Sequence, residues 1–299
     1  MKIGIDIGGS HVSMAVINKD FKIEKNYTKT ICQNTIGKIL EYFEEIIQEI
    51  LEKYEIEEIN IAVAGIIKDN KIQKSVNLNI SNVDIIQEIK QILRKINKEE
   101  IQINIKNDAV CATIAEHKLG CLQGYKNCVF LTLGTGIGSG IIIDNKIVSN
   151  TELGHTIIET NGKKCNCGKN GCFEQYASIL NFKKECIKQL KLQENIKSLE
   201  IVKYLDDNLD NKDVQVVINE YIKYLAIGIS NIINILQPEA IGIGGSFVYF
   251  KNILLKPLIE YIIENKLIFD EKYILNVKIA EYLNEARKYW KLYLKIIKT

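Results

Sequence analysis

The sequence predicts an α/β chain organised in two halves. Its 299 residues can bury a large core but usually divide into two domains of ordinary size. Short apolar runs with strand character alternate with segments of helical period along most of the chain. Each half also opens on strands around a glycine-rich turn, Gly8-Gly9 in the first and Gly134-Thr135-Gly136-Ile137-Gly138 in the second. The composition, 46% hydrophobic and 25% charged, is that of a globular protein. A net charge of +2 gives no electrostatic reason to expect nucleic acid or an anionic membrane as partner.

The opening KIGIDIGG is read as a strand running into a turn, so no signal peptide is expected. Strands over 12–18 and 22–30 follow, and with the first they form a tight hairpin whose backbone N–H groups can face an anion. Asp6 alternates with Ile5 and Ile7, which aims its carboxylate away from the apolar side. Residues 35–54 carry apolar side chains at helical period, with Asn34 or Thr35 as N-cap. Strands are expected over 58–65, 71–76 and 101–105, with helices over 84–96 and 109–118. Asp108 sits at a strand end and a helix start. That place suits an N-cap, the usual reason for an Asp there, and it also suits a catalytic group at the carboxyl end of a sheet.

In the second half, two strands within 128–144 flank the glycine hairpin. It is neither a Walker loop, lacking Gly-Lys-Ser/Thr, nor a Rossmann turn, since a strand follows it. Helices are expected over 178–191, 198–206, 213–236 and 250–265, and a last one near the C-terminus. Strands are expected over 240–245 and 273–282. The apolar stretch 224–250 is cut by Gln237-Pro238-Glu239 into a helix and a strand, so it is not read as a membrane span, and a cytoplasmic protein is expected.

The most specific stretch runs from Glu152 to Glu174. It holds His155, Cys165, Cys167 and Cys172, the last three in the arrangement C-x-C-G-x-x-G-C. Three thiolates and an imidazole complete a tetrahedral zinc shell with no place left for water. A structural metal is therefore expected, folding the loop and aiming Glu152 and Glu174. Five of the eight cysteines lie outside this cluster, an odd number without paired spacing, which disfavours a disulfide framework.

Asp6-Ile7-Gly8-Gly9-Ser10, Asn107-Asp108, Leu133 to Gly138, Glu152-Leu153-Gly154-His155, Cys165 to Glu174 and Gly242-Ile243-Gly244-Gly245 stand in the order found in the ROK family of repressors and sugar kinases. The chain resembles that family over nearly its whole length. The resemblance implies an actin/hexokinase-like ATPase fold with two α/β lobes around a cleft. Residues 1–106 plus 284–299 would form the small lobe, and 107–283 the large lobe with the zinc motif. It further implies that Gly8, Gly9 and Ser10, together with Gly134, Thr135 and Gly136, hold the phosphates of ATP. Gly244 and Gly245 would lie by the adenosine, and Asp6 would help to hold Mg²⁺. Gly65, Asn77, Asn107, Glu152, His155 and Glu174 would contact the sugar, with Asp108 as general base.

The implied activity is ATP-dependent phosphorylation of a hexose at its 6-hydroxyl, glucose first. N-acetylmannosamine, fructose and allose kinases share these motifs. A sugar-responsive repressor of the family would carry an N-terminal DNA-binding segment, for which the five residues before Asp6 leave no room. A sugar-binding protein without turnover is a third reading. A homodimer is implied by analogy. The sequence departs from the family pattern in a shortened approach to Glu152, in Ala64-Gly65 and Val76-Asn77, each of which has Pro first in the family, and in Glu285 to Trp290.

Overall fold

The computed structural model describes residues 1–8, 11–20, 22–30, 36–75, 78–148 and 151–281. Gly9, Ser10, Asn77, the cap candidates Asn34 and Thr35, and the expected last helix all lie outside these residues. The described chain forms two compact units, Met1–Lys118 and a second that begins at Leu119.

The first unit contains β1 (Lys2–Ile7), β2 (His11–Ile17), β3 (Ile23–Thr30), α1 (Ile36–Lys53), β4 (Glu58–Val63), β5 (Ile66–Lys68), β6 (Lys71–Ser75), β7 (Ile80–Val83), α2 (Ile85–Lys95), β8 (Gln102–Asn107) and α3 (Asp108–Leu119). Its main sheet has the order β3-β2-β1-β4-β8. β1 pairs antiparallel with β2, while β1, β4 and β8 run parallel. Alternation decides which face is buried: Ile3, Ile5, Ile7, Ile59, Ile61, Val63 and Ile105 meet Ile39, Phe43, Ile47 and Ile50 of α1 and Ile85, Ile89 and Leu93 of α2. Asp84 caps α2 by accepting from the Gln87 N–H. A separate sheet, β5-β6-β7, has two strands that the sequence reading leaves out, because runs of three or four residues carry too little alternation to register. Asp108–Lys118 of α3 belong to the first unit.

The second unit contains β9 (Cys128–Leu133), β10 (Ile137–Ile143), β11 (Lys146–Val148), a 3₁₀ turn (Leu153–His155), α4 (Glu174–Ala177), α5 (Ile179–Gln189), α6 (Ser198–Asp207), α7 (Lys212–Leu236), β12 (Ala240–Gly244), α8 (Phe247–Glu264) and β13 (Val277–Ile279). The sheet order is β11-β10-β9-β12-β13, with β12 parallel to both neighbours. Its core joins Val129, Leu131, Ile241 and Ile243 to Leu225, Ile229 and Ile233 of α7 and to Phe250 and Leu254 of α8. α7 is long and apolar enough to cross a membrane, yet most of its apolar surface is buried in this core. It stops at Gln237, a left-handed C-cap with φ 42°, one residue ahead of Pro238. Within the strand expected over 273–282, the described residues form β13, three residues long, with Val277–Ile279 paired to Ile241–Ile243 of β12 and the ladder closed at its ends by Asn276 and Ala280.

Candidate functional site

The carboxyl ends of the parallel strands in the first unit carry Asp6, Gly65, Asn107 and Asp108. Asp6 pairs with Ala62 across β1 and β4, and Asn107 with Val63 across β4 and β8. Gly8 directly follows β1. Capping here falls to Asn107 more than to Asp108. The Asn107 Oδ1 accepts from the Ala109 and Val110 N–H groups at 2.9 and 3.1 Å, while its Nδ2 donates to the Gly65 carbonyl at 2.9 Å. Ser75 Oγ donates to the neighbouring Ala64 carbonyl at 2.5 Å, a strut with no motif to reveal it in the sequence.

With Asn107 as the cap, the Asp108 carboxylate makes a local hydrogen bond, Oδ1 accepting from the Ala109 N–H at 2.9 Å. Asp108 is exposed as a residue, although protein surrounds its carboxyl group. Burial pushes its carboxyl above the ordinary carboxylate value, against the backbone N–H groups that favour the ionised form. The Cys111 thiol in the next turn is pushed up by its own burial and then by the charges of Asp108 and, less strongly, Asp6. Both carboxylates therefore act on one end of the sheet. Such hard oxygen donors suit a magnesium ion that keeps most of its waters.

In the second unit, β9 and β10 are joined through Gly134, Thr135 and Gly136, with Leu133 and Ile137 as the last pair of the ladder. Thr135 is exposed at the tip. The Gly134 N–H closes on the Gly136 carbonyl at 3.0 Å, and the Leu180 N–H holds the Gly134 carbonyl at 3.0 Å. The turn leaving β12 lies beside this hairpin, since Gly244 pairs with Thr132. Gly245 has φ +73°, and a Cβ there would stand 2.6 Å from the Leu133 carbonyl oxygen. Both the left-handed backbone and the close approach demand glycine.

The cysteine segment folds into a small hairpin with bridges Ile157↔Cys172 and Lys164↔Asn170. The Cys165 N–H reaches the Lys169 carbonyl at 2.8 Å and the Phe173 N–H reaches that of Thr156 at 2.8 Å. These turns bring one ligand atom each from His155, Cys165, Cys167 and Cys172 within 4.8 Å of one another. His155 Nδ1 lies 3.7 Å from Cys165 Sγ, and Cys167 Sγ lies 3.6 Å from Cys172 Sγ. A tetrahedral zinc shell with thiolate ligands has edges of about 3.8 Å, so the four donors fit that ion. Among the described residues, the cysteines at 111, 121, 128, 165, 167, 172 and 186 are all free thiols. Burial and the two neighbouring thiols push Cys172 up to about 12. Three adjacent thiols cannot all ionise without a cation to offset their charge.

Glu152 precedes the 3₁₀ turn and is exposed, and its carbonyl takes the His155 N–H at 3.0 Å. Ser139 on β10 ties this approach to the sheet, donating to the Thr151 carbonyl at 3.2 Å and accepting from the Leu153 N–H at 3.1 Å. Glu174 begins α4, and its Oε2 accepts from the Ile137 N–H at 2.9 Å. Gln175 Nε2 points at Cys165 Sγ from 3.6 Å. Neither Ser139 nor Gln175 carries a sequence signal, because each acts through a neighbour that is distant in the chain.

Three comparisons match this architecture. Residues 2–287 fit the model of the ROK family. A glucokinase from Thermotoga maritima is 30% identical over 282 residues, covering 88% of this chain and 87% of that protein. The xylose repressor of Bacillus subtilis is 28% identical over 260 residues, covering 82% of this chain and 64% of the repressor. Among solved structures, a ROK family glucokinase from Streptomyces griseus in complex with glucose and AMPPNP superposes with a TM-score of 0.78 at 21% identity, over 97% of each chain. The fold is the hexokinase-like ATPase fold.

Proposed function

The chain belongs to the ROK family, and on that premise we propose that it is an ATP-dependent hexose kinase acting at the 6-hydroxyl, with glucose as the first acceptor to test. The observation that carries this reading is the division of work between Asn107 and Asp108. Asn107 holds the helix N–H groups, which leaves Asp108 as a carboxylate of raised basicity. A sugar hydroxyl is a poor nucleophile, and such a carboxylate takes its proton as attack on the γ-phosphorus proceeds. Gly8, with Gly9 and Ser10, and the hairpin Gly134-Thr135-Gly136 offer backbone N–H groups to the phosphates of ATP. Gly244 and Gly245 would lie by the adenosine.

Asp6 would hold magnesium, which when bound neutralises charge on the phosphate oxygens. Glu152, His155 and Glu174 hydrogen-bond the sugar hydroxyls, as do Asn107, Gly65 and Asn77. His155, Cys165, Cys167 and Cys172 would hold zinc, which when bound supplies folding energy, since the protein fills all four places. N-acetylmannosamine, fructose and allose are the alternative acceptors.

A panel of hexoses and N-acetylhexosamines with coupled ADP detection tests the proposal. One sugar should stand out, with its phosphate on the 6-oxygen. Binding of a sugar with no ADP formed from any of them would instead favour a sugar-responsive regulator, a reading supported by the similarity to the xylose repressor.

A further inference from the structure

We propose that Glu174 is a positioning residue for the glycine hairpin, and that the single turn of α4 ties that hairpin to the metal cluster. The proposal rests on the kinase reading in taking the hairpin as phosphate-binding. Ile137, the first residue after the hairpin, is held from both sides. Its N–H donates to Glu174 Oε2 at 2.9 Å. Its carbonyl oxygen lies so close to Gly154 that a Cβ there would overlap it.

Gly136 is packed against the same carboxylate. A Cβ at Gly136 would collide with Glu174 Oε2 and stand 3.0 Å from its Cδ. The hairpin thus closes on Glu174 with no spare room.

Both braces grow out of the metal segment. Gly154 immediately precedes the ligand His155, and Glu174 follows the ligand Cys172 by two residues. Gln175, the next residue of α4, points its amide at the Cys165 sulfur from 3.6 Å. Asn181 Nδ2 fixes the Glu174 carbonyl at 3.2 Å, and the Leu180 N–H holds Gly134. A carboxylate anchored through one oxygen leaves the other to a sugar hydroxyl, so a single side chain sets both the acceptor's contact and the shape of the phosphate loop. The order imposed by the cluster then reaches the hairpin as well as the sugar-reading residues.

Hydrogen–deuterium exchange at the Ile137 amide tests this in the full chain, with Mg-ADP affinity measured calorimetrically in the absence of sugar. A charge-assisted hydrogen bond to an amide predicts about tenfold faster exchange in Glu174→Ala. Amides of α7, which report global opening, should be unaltered. Mg-ADP should bind about tenfold more weakly. Glu174→Gln keeps an oxygen acceptor and should stay within about threefold of the parent in both measurements. Where Glu174→Ala does not fold, Glu174→Asp, with its carboxylate drawn back, carries the same expectation.

Chelating the metal should also accelerate exchange at Ile137, and no response would overturn the link to the cluster. Unaltered Ile137 exchange in Glu174→Ala, with Mg-ADP binding normal, would overturn the positioning role and leave the kinase reading intact. A parent protein that binds no Mg-ADP, but whose Ile137 responds as described, would support the brace and remove the kinase reading.

Discussion

The two units hold their polar groups in opposite ways. In the first, Asp108 sits at the end of a parallel strand, with a local backbone contact and a carboxyl raised by burial. In the second, Glu174, His155 and the cysteines belong to a dense web in which hairpin, 3₁₀ turn and α4 fasten one another. A group that must exchange a proton gains from loose ties and raised basicity. Groups that must recognise a pattern of hydroxyls gain from fixed position. Under the proposed function Asp108 is the reactive carboxylate, and Glu152, His155 and Glu174 add firmly held sugar contacts to those of Gly65, Asn77 and Asn107.

The largest effect should come from Asp108→Asn, which removes the base and keeps the shape. Turnover should fall by about 10² to 10⁴ in a coupled assay, with sugar affinity by calorimetry changing by no more than a few fold. Near-normal turnover would transfer the role to another group. Next in size, Cys167→Ser should lose the bound metal, with a loss of sugar affinity of roughly tenfold or more. Elemental analysis of the parent should give about one zinc per chain. A well-folded, metal-free parent that binds sugar normally would end the structural role of the cluster.

The pH dependence sharpens the contrast further. A base must be ionised, so the acid limb of the rate profile should fall at a pH above the ordinary aspartate value of 3.8, as the Asp108 carboxyl is raised. The sign for stability is the reverse of that for a paired carboxylate. A raised acid favours the folded state while it is protonated and disfavours it once pH climbs through the raised value. Asp108→Asn should therefore be at least as stable as the parent at neutral pH. Thermal melts should show that advantage shrinking to nothing below pH 3.8. The smallest effect is Asn107→Ala, which removes the α3 cap and should cost about 1 kcal/mol, a fall of a few degrees in a thermal melt.

The repeated elements and the candidate metal-binding cluster are readable in the sequence because each is local. His155 and the three cysteines lie within one short segment, and α1, α2 and α7 declare themselves by period. The capping role of Asn107 is not legible in the sequence because Asn and Asp stand side by side at one helix start, and local sequence favours either. The brace from Glu174 to Ile137 joins residues 37 apart in the chain. No pattern of residue types announces such a contact. β13 is shorter than its sequence suggests because Tyr273 to Leu275 have strand character but lie outside the ladder to β12. Gly9, Ser10 and Asn77 fall outside the described residues.

Rapid-quench measurement of phosphoryl transfer at saturating sugar tests the division of labour most directly, applied to the parent, Asp108→Asn and Cys167→Ser. The account predicts that Asp108→Asn loses at least about 10² in the transfer rate. Cys167→Ser, saturated with both sugar and ATP, should lose no more than about tenfold, since its zinc site has no place for a reacting group and acts only through the order of the hairpin and the sugar contacts. A transfer rate that survives in Asp108→Asn and collapses in Cys167→Ser would contradict it.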